Sequence, residues 1–156
     1  MKIEELVLSI EQMMHLKELG LEVKDTALCW YDDCVNGTDT FFEEDLKECV
    51  LTLTLREILE LLPKSIIVEN PGWDSETIFL EIDWSESFIS YDGEYLTHSC
   101  ETHDLLNASY NMLCWVLENG YLKKGDWILG FLLKNATEYK WTNILNFSYV
   151  GCERRG

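Results

Sequence analysis

The stretch from 77 to 119 constrains this fold more than any other, because its hydrophobic period changes once, from two to about 3.6. Over 77–83 the residues alternate, with Ile78, Leu80 and Ile82 on one face and Glu81 and Asp83 on the other. That pattern is a strand with one dry side. Segments 87–91 and 94–97 flank Asp92-Gly93, the strongest short hairpin signal in the chain. From 102 to 119 the pattern turns helical. Leu105, Met112 and Val116 form one stripe, Leu106, Leu113 and Leu117 lie beside it, and Tyr110, Cys114 and Trp115 fill the space around them. Thr102 is the expected cap, Asp104 falls in the first turn, and Asn119-Gly120 closes the helix. So broad an apolar surface suits a helix laid across a sheet. The expected fold is therefore α+β: an antiparallel sheet of three to five strands, a long helix packed on one face, and two shorter helices. Leu80, Ile82, Leu106, Leu113, Val116 and Leu117 are expected to be buried together.

The two shorter helices announce themselves by their caps. Ser9 and Gln12 form a capping box ahead of 10–19, where Ile10, Met13, Met14 and Leu16 are expected to face a core and Gly20 to stop the helix. Thr54 and Glu57 form a second box, followed by Leu55, Ile58, Leu59 and Leu62 and ended by Pro63. Short strands are expected at 27–31, 49–53 and 65–68. Residues 32–40 look like a polar loop turning at Asn36-Gly37, and Asn70-Pro71-Gly72 like a second turn.

The charge is as lopsided as the pattern is clear. The 156 residues hold 29 Asp and Glu against 12 Lys and Arg, a formal net charge of −17. The excess lies in 1–124, with 26 acids against 8 bases, while 125–156 has three acids against four bases. This predicts one acidic domain over 1–124 and a near-neutral, aromatic-rich extension over 125–156, packed on it or partly flexible. Such a field repels nucleic-acid phosphates and anionic membranes, so neither is an expected partner. The longest uncharged apolar run, 127–133, falls far short of the ~20 residues of a membrane helix. Met1-Lys2-Ile3-Glu4-Glu5 carries acids where a secretory signal has bases, which points to the cytoplasm. There Cys29, Cys34, Cys49, Cys100, Cys114 and Cys152 are expected to be free thiols.

Two constellations bear on chemistry. In the loop 32–43, Asp32, Asn36, Gly37 and Glu43 stand where a calcium loop of the EF-hand type places its first ligand, its fifth, its turn glycine and its bidentate glutamate. Cys34 in the third position is too soft for Ca²⁺, and the preceding segment does not read as a helix. An Asn-Gly turn in an acidic loop accounts for the same residues. The second set is His98, Cys100 and His103, three side chains able to bind Zn²⁺ or to pair a thiol with a base. Their spacing is not that of a zinc finger, and no orienting third group is visible. Elsewhere carboxylates are so numerous that acid–base pairs such as Asp83 with Glu86 fit a solvated face better. Phosphate-binding glycine loops and basic aromatic patches are absent, and no cofactor is implied.

Three segments carry a resemblance: Glu11-Gln12-Met13 with Leu16-Lys17-Glu18-Leu19-Gly20, then Thr54-Leu55-Arg56-Glu57-Ile58-Leu59-Glu60, then Asn111-Met112-Leu113-Cys114-Trp115-Val116-Leu117. Over about residues 9–124 the chain resembles a family of small uncharacterised bacterial proteins, often associated with phage or other mobile elements. The resemblance implies a compact α+β domain in a bacterial cytosol and no particular activity. Residues 125–156 depart from the family's pattern.

With no convergent catalytic set, the function expected from the sequence is a non-catalytic acidic interaction module for a protein with a basic surface. Trp73, Trp84, Tyr91 and Tyr95 are its candidate exposed aromatics. The alternatives are a small metal-binding protein or hydrolytic enzyme built on His98, Cys100 and His103 or on the 32–43 loop, and a nucleic-acid mimic that occupies a DNA-binding protein.

Overall fold

The computed structural model describes residues 1–72 and 74–122. Trp73, Cys152 and the expected extension 125–156 lie outside the described residues. Helix α1 spans Ile10–Glu18 and begins at the expected capping box: the Ser9 hydroxyl accepts from the Gln12 N–H, and the Gln12 side chain accepts from the Ser9 N–H. Gln12 also reaches across the molecule, donating from Nε2 to Oδ1 of Asn107 at 2.8 Å. Met13 and Leu16 are buried, but Met14 is 54% exposed rather than turned to the core. The stripe runs through 10, 13 and 16, and Met14 is rotated about 100° away from Met13.

The first sheet has the order β2-β1-β3, built from β1 (Leu28–Tyr31), β2 (Cys34–Gly37) and β3 (Val50–Thr52). Here the expected loop 32–40 is corrected. The turn is Asp32-Asp33, while Asn36 and Gly37 lie in β2, paired with Cys29 and Leu28. A two-residue hairpin of the type I′ kind, which matches strand twist, needs positive φ at both central positions, and short polar Asp side chains tolerate it. Asp32 and Asp33 have φ of 50° and 60°. The N-terminal segment is stitched to this sheet at Leu8, whose carbonyl accepts from the Trp30 indole at 2.9 Å and from the Thr52 hydroxyl at 2.7 Å.

Helix α2 (Leu55–Leu61) starts at Thr54 and ends before Pro63. The second sheet is a meander, β4-β5-β6-β7, of Ser65–Val68, Glu76–Asp83, Phe88–Asp92 and Thr97–Glu101. The last strand is displaced from the expected 94–97. Glu76 places its carboxylate against the backbone N–H groups of Glu94 (2.6 Å) and Tyr95 (3.0 Å). Those donors are thereby taken from the ladder, and Asp92 pairs with Thr97 across the loop 93–96. A β-carbon at Gly93 would stand 2.5 Å from Cδ1 of Ile78 and 2.6 Å from a Glu76 carboxylate oxygen, so any larger residue there would have to push these side chains aside.

Helix α3 (Leu105–Glu118) is capped by Asp104 rather than Thr102, with Oδ1 accepting from the Asn107 N–H at 2.7 Å. Gly120, at φ 74°, follows its end. One buried cluster joins Leu80, Ile78, Ile89 and Tyr91 of the meander to Met112, Leu113, Val116 and Leu117 of α3 and to Ile58 of α2. Ile82 and Leu106 are only half-buried at its margin. Among the described residues no helix is long and apolar enough to cross a membrane, and Cys29, Cys34, Cys49, Cys100 and Cys114 are unbridged.

Candidate functional site

Helix α2 is short, and its capping box does more than start it. Thr54 Oγ1 donates to Oε1 of Glu57 at 2.8 Å and accepts from the Glu57 N–H at 3.3 Å. This holds the glutamate against the body of the protein, and Glu57 retains only 8% of its exposure. Three residues on, Glu60 lies on the same side and is 5% exposed. The two carboxylates line a recess of about 480 Å³ shared with Asp25, Thr26, Thr38 and Arg56. Oε2 of Glu57 is buried without a hydrogen-bond partner. Arg56, largely exposed, sets its Nε 3.8 Å from Oε1 of Glu60.

Burial raises the pKa of Glu57 above the ordinary glutamate value. The Thr54 hydrogen bonds oppose the rise and the charge of Asp25 adds to it. Between the ordinary pKa, about 4.3, and the raised folded value, the folded state binds more protons than the unfolded one. Stability contributed by this group is therefore present below the window and lost as pH rises through it. Glu57→Gln preserves the capping-box chemistry and removes the titration. Urea unfolding across pH 4–8 is expected to give the variant a shallower loss of stability with rising pH than the wild type. Parallel curves would remove Glu57 from the account.

The three residues His98, Cys100 and His103 are only partly brought together. His98 and Cys100 sit two apart on β7, with Nε2 and Sγ 3.6 Å from each other. The His98 ring stacks on Trp115 at 4.3 Å and 5°. Burial lowers the His98 pKa, while burial and the neighbouring Cys114 push Cys100 up to about 11. A neutral imidazole beside a protonated thiol is the reverse of an activated nucleophile pair. His103 instead places Nε2 2.7 Å from Oδ2 of Asp104, the carboxylate that caps α3.

The loop 32–43 does not close into a ligand shell. Asp32 occupies the hairpin turn, Asn36 is in β2 with its amide donating to the Cys34 carbonyl at 3.1 Å, and Glu43 is exposed beyond a 3-10 turn. The chain enters this segment from a strand, and the Asn-Gly pair is consumed by the ladder. Among the described residues no group of three His, Cys, Asp or Glu side chains stands close enough to hold a metal ion. Of the candidate aromatics, Tyr95 is half exposed, and Trp84 is half-buried. Tyr91 is fully buried, a correction that follows from its register opposite Leu80 and its hydroxyl donating to the Pro63 carbonyl.

No protein-family model, curated protein or solved structure matches this chain. The geometry thus carries the argument alone. It singles out Glu57, Glu60 and Asp25, none of which the sequence marked as a site. Glu57 showed only as half of a cap. The available signal was Glu60, a second acid three residues on, in a helix whose neighbouring Ile58 and Leu61 are apolar and buried.

Proposed function

We propose that this protein is a non-catalytic acidic module that binds a partner protein through a basic surface, in the cytoplasm, with the interaction borne by 1–124. The observation that carries this reading is the imbalance there of 26 acids against 8 bases, which leaves most carboxylates without a cation of the chain's own. A field of that sign speeds encounter with basic surfaces. Large apolar side chains offered to solvent support it: Phe42 is 81% exposed, Phe79 65% and Ile67 61%. Phe79 and Ile67 belong to adjacent strands, each next to a buried partner in the Ile66–Ile78 pair, so both project from the outer face. We also infer that α3 lies across the opposite face of the meander, a reading supported by the shared cluster and by Trp115 stacked on Tyr91 at 6.0 Å.

Capture from extract of the source cells is the test. At low ionic strength the protein is expected to retain a basic partner and to release it near 1 M salt, where the screening length is only about 3 Å. An empty low-salt capture, or retention indifferent to salt, would overturn the reading and leave the charge as a solubility device.

A further inference from the structure

The two edges of the meander differ in how they are guarded. β7 shows solvent Thr97, Ser99 and Glu101, polar groups that discourage a further strand. β4 is the run Ser65-Ile66-Ile67-Val68, without charge or proline, and among the described residues it pairs with β5 alone. The ladder fixes which backbone groups this edge offers. Bonded and non-bonded pairs alternate between antiparallel strands. The Lys64 carbonyl accepts from the Leu80 N–H at 2.8 Å, so Lys64–Leu80, Ile66–Ile78 and Val68–Glu76 are the bonded pairs. The N–H and C=O groups of Ser65 and Ile67 therefore turn away from β5, toward the open side. On the outer face beside them stand the side chains of Ile67 and Phe79, largely exposed on adjacent strands. The charge around the edge has one sign. Residues 65–101 hold nine Asp and Glu and no Lys or Arg; Lys64 is the last base before them and Lys123 the first after.

We propose that β4 accepts an extended segment of a protein partner as a fifth strand of the meander, aliphatic at the positions opposite Ser65 and Ile67 and carrying Lys or Arg at its ends. The proposal rests on the interaction-module reading and gives it a surface and a binding mode. Main-chain hydrogen bonds to Ser65 and Ile67 supply affinity and register. Aliphatic side chains laid beside Ile67 and Phe79 bury apolar surface, and the flanking cations answer the acids of the sheet. The same field opposes the other natural occupant, β4 of a second molecule, which would bring nine like charges against nine.

The test is a titration of the isotopically labelled full chain, followed by amide NMR, with three acetylated and amidated peptides. They are Lys-Lys-Val-Thr-Val-Lys-Lys, the same peptide N-methylated at both valines, and the acidic counterpart Glu-Glu-Val-Thr-Val-Glu-Glu. The first is expected to give saturable shifts centred on Ser65, Ile66 and Ile67 and reaching Thr77 and Phe79. The N-methylated peptide keeps every side chain and charge but loses the donors to the edge, so it is expected to bind about tenfold more weakly or worse. The acidic peptide is expected not to bind. Ile67→Pro removes an N–H that serves no ladder bond, at an edge position where proline is tolerated, and is expected to weaken the first peptide about tenfold. Ile67→Thr keeps the N–H, loses part of the apolar contact and is expected to weaken it less. Should Ile67→Pro not fold, Ile67→Thr and the N-methylated peptide still decide. Equal binding of the N-methylated peptide, shifts that map elsewhere, or no saturable binding would each overturn the proposal. Dimerisation of the chain through the same residues would overturn it in favour of a second copy. The two readings fail separately. A basic protein captured equally by wild type and Ile67→Pro refutes the edge and spares the module, while peptide binding without any captured protein does the opposite.

Discussion

Leu113→Ala is expected to lower the unfolding free energy by about 2–5 kcal/mol. Leu113 has no exposed surface and sits in the cluster where α2, α3 and the meander meet. Truncation removes apolar contact and leaves a void that neighbours such as Ile58, Ile89 and Met112, all fully buried, have little freedom to fill. Guanidinium unfolding monitored by tryptophan fluorescence would register the shift in midpoint. A change below about 0.5 kcal/mol, the scale of ordinary surface substitutions, would place the core elsewhere.

Trp115→Ala is expected to cost about 3 kcal/mol, the lower end for deleting a large aromatic, because the residue is half-buried. It has a second, independent signature. The indole contacts three rings, at 4.3 Å for His98, 5.3 Å for Tyr121 and 6.0 Å for Tyr91. Covering His98 is part of what keeps its imidazole dry and its pKa low. Removing the indole lets water reach the ring, so the His98 pKa should climb toward its ordinary value. A two-dimensional NMR titration of the imidazole resonances reads it. An unmoved His98 would show that the desolvation comes from another neighbour.

The contrast between what the sequence revealed and what it hid follows from distance along the chain. Both capping boxes, Ser9 with Gln12 and Thr54 with Glu57, are settled within one helical turn and were legible at once. The alternation of 77–83 fixed which side of β5 is buried because a strand's period is local. The final strand was misplaced because a residue outside the hairpin, Glu76, takes the backbone donors of Glu94 and Tyr95. Asn36-Gly37 misled for a related reason: two consecutive acids took the turn, and the favoured turn pair fell into the ladder. The recess has no signature along the chain, since 25–27, 38 and 54–60 meet only after the first sheet and α2 have come together. That His98 and Cys100 stand together follows from their spacing on one strand, but their surroundings include Trp115 and Cys114, which come later in the chain.

The meander's simple order bears on how the chain behaves while it is being made. Each of its strands pairs with the next in sequence, across loops at 69–75, 84–87 and 93–96, so closure is entropically inexpensive and the sheet is free to form early. Its inward residues Ile78, Leu80, Ile89 and Tyr91 are complete once 92 has been synthesised, whereas Met112, Val116 and Leu117, which share their cluster, are still to come. At roughly 5–20 residues per second the interval is a second or more. For that time a nascent sheet shows water its stickiest side, and a chaperone that recognises bare aliphatic surface would have its window there, closing when the third helix emerges.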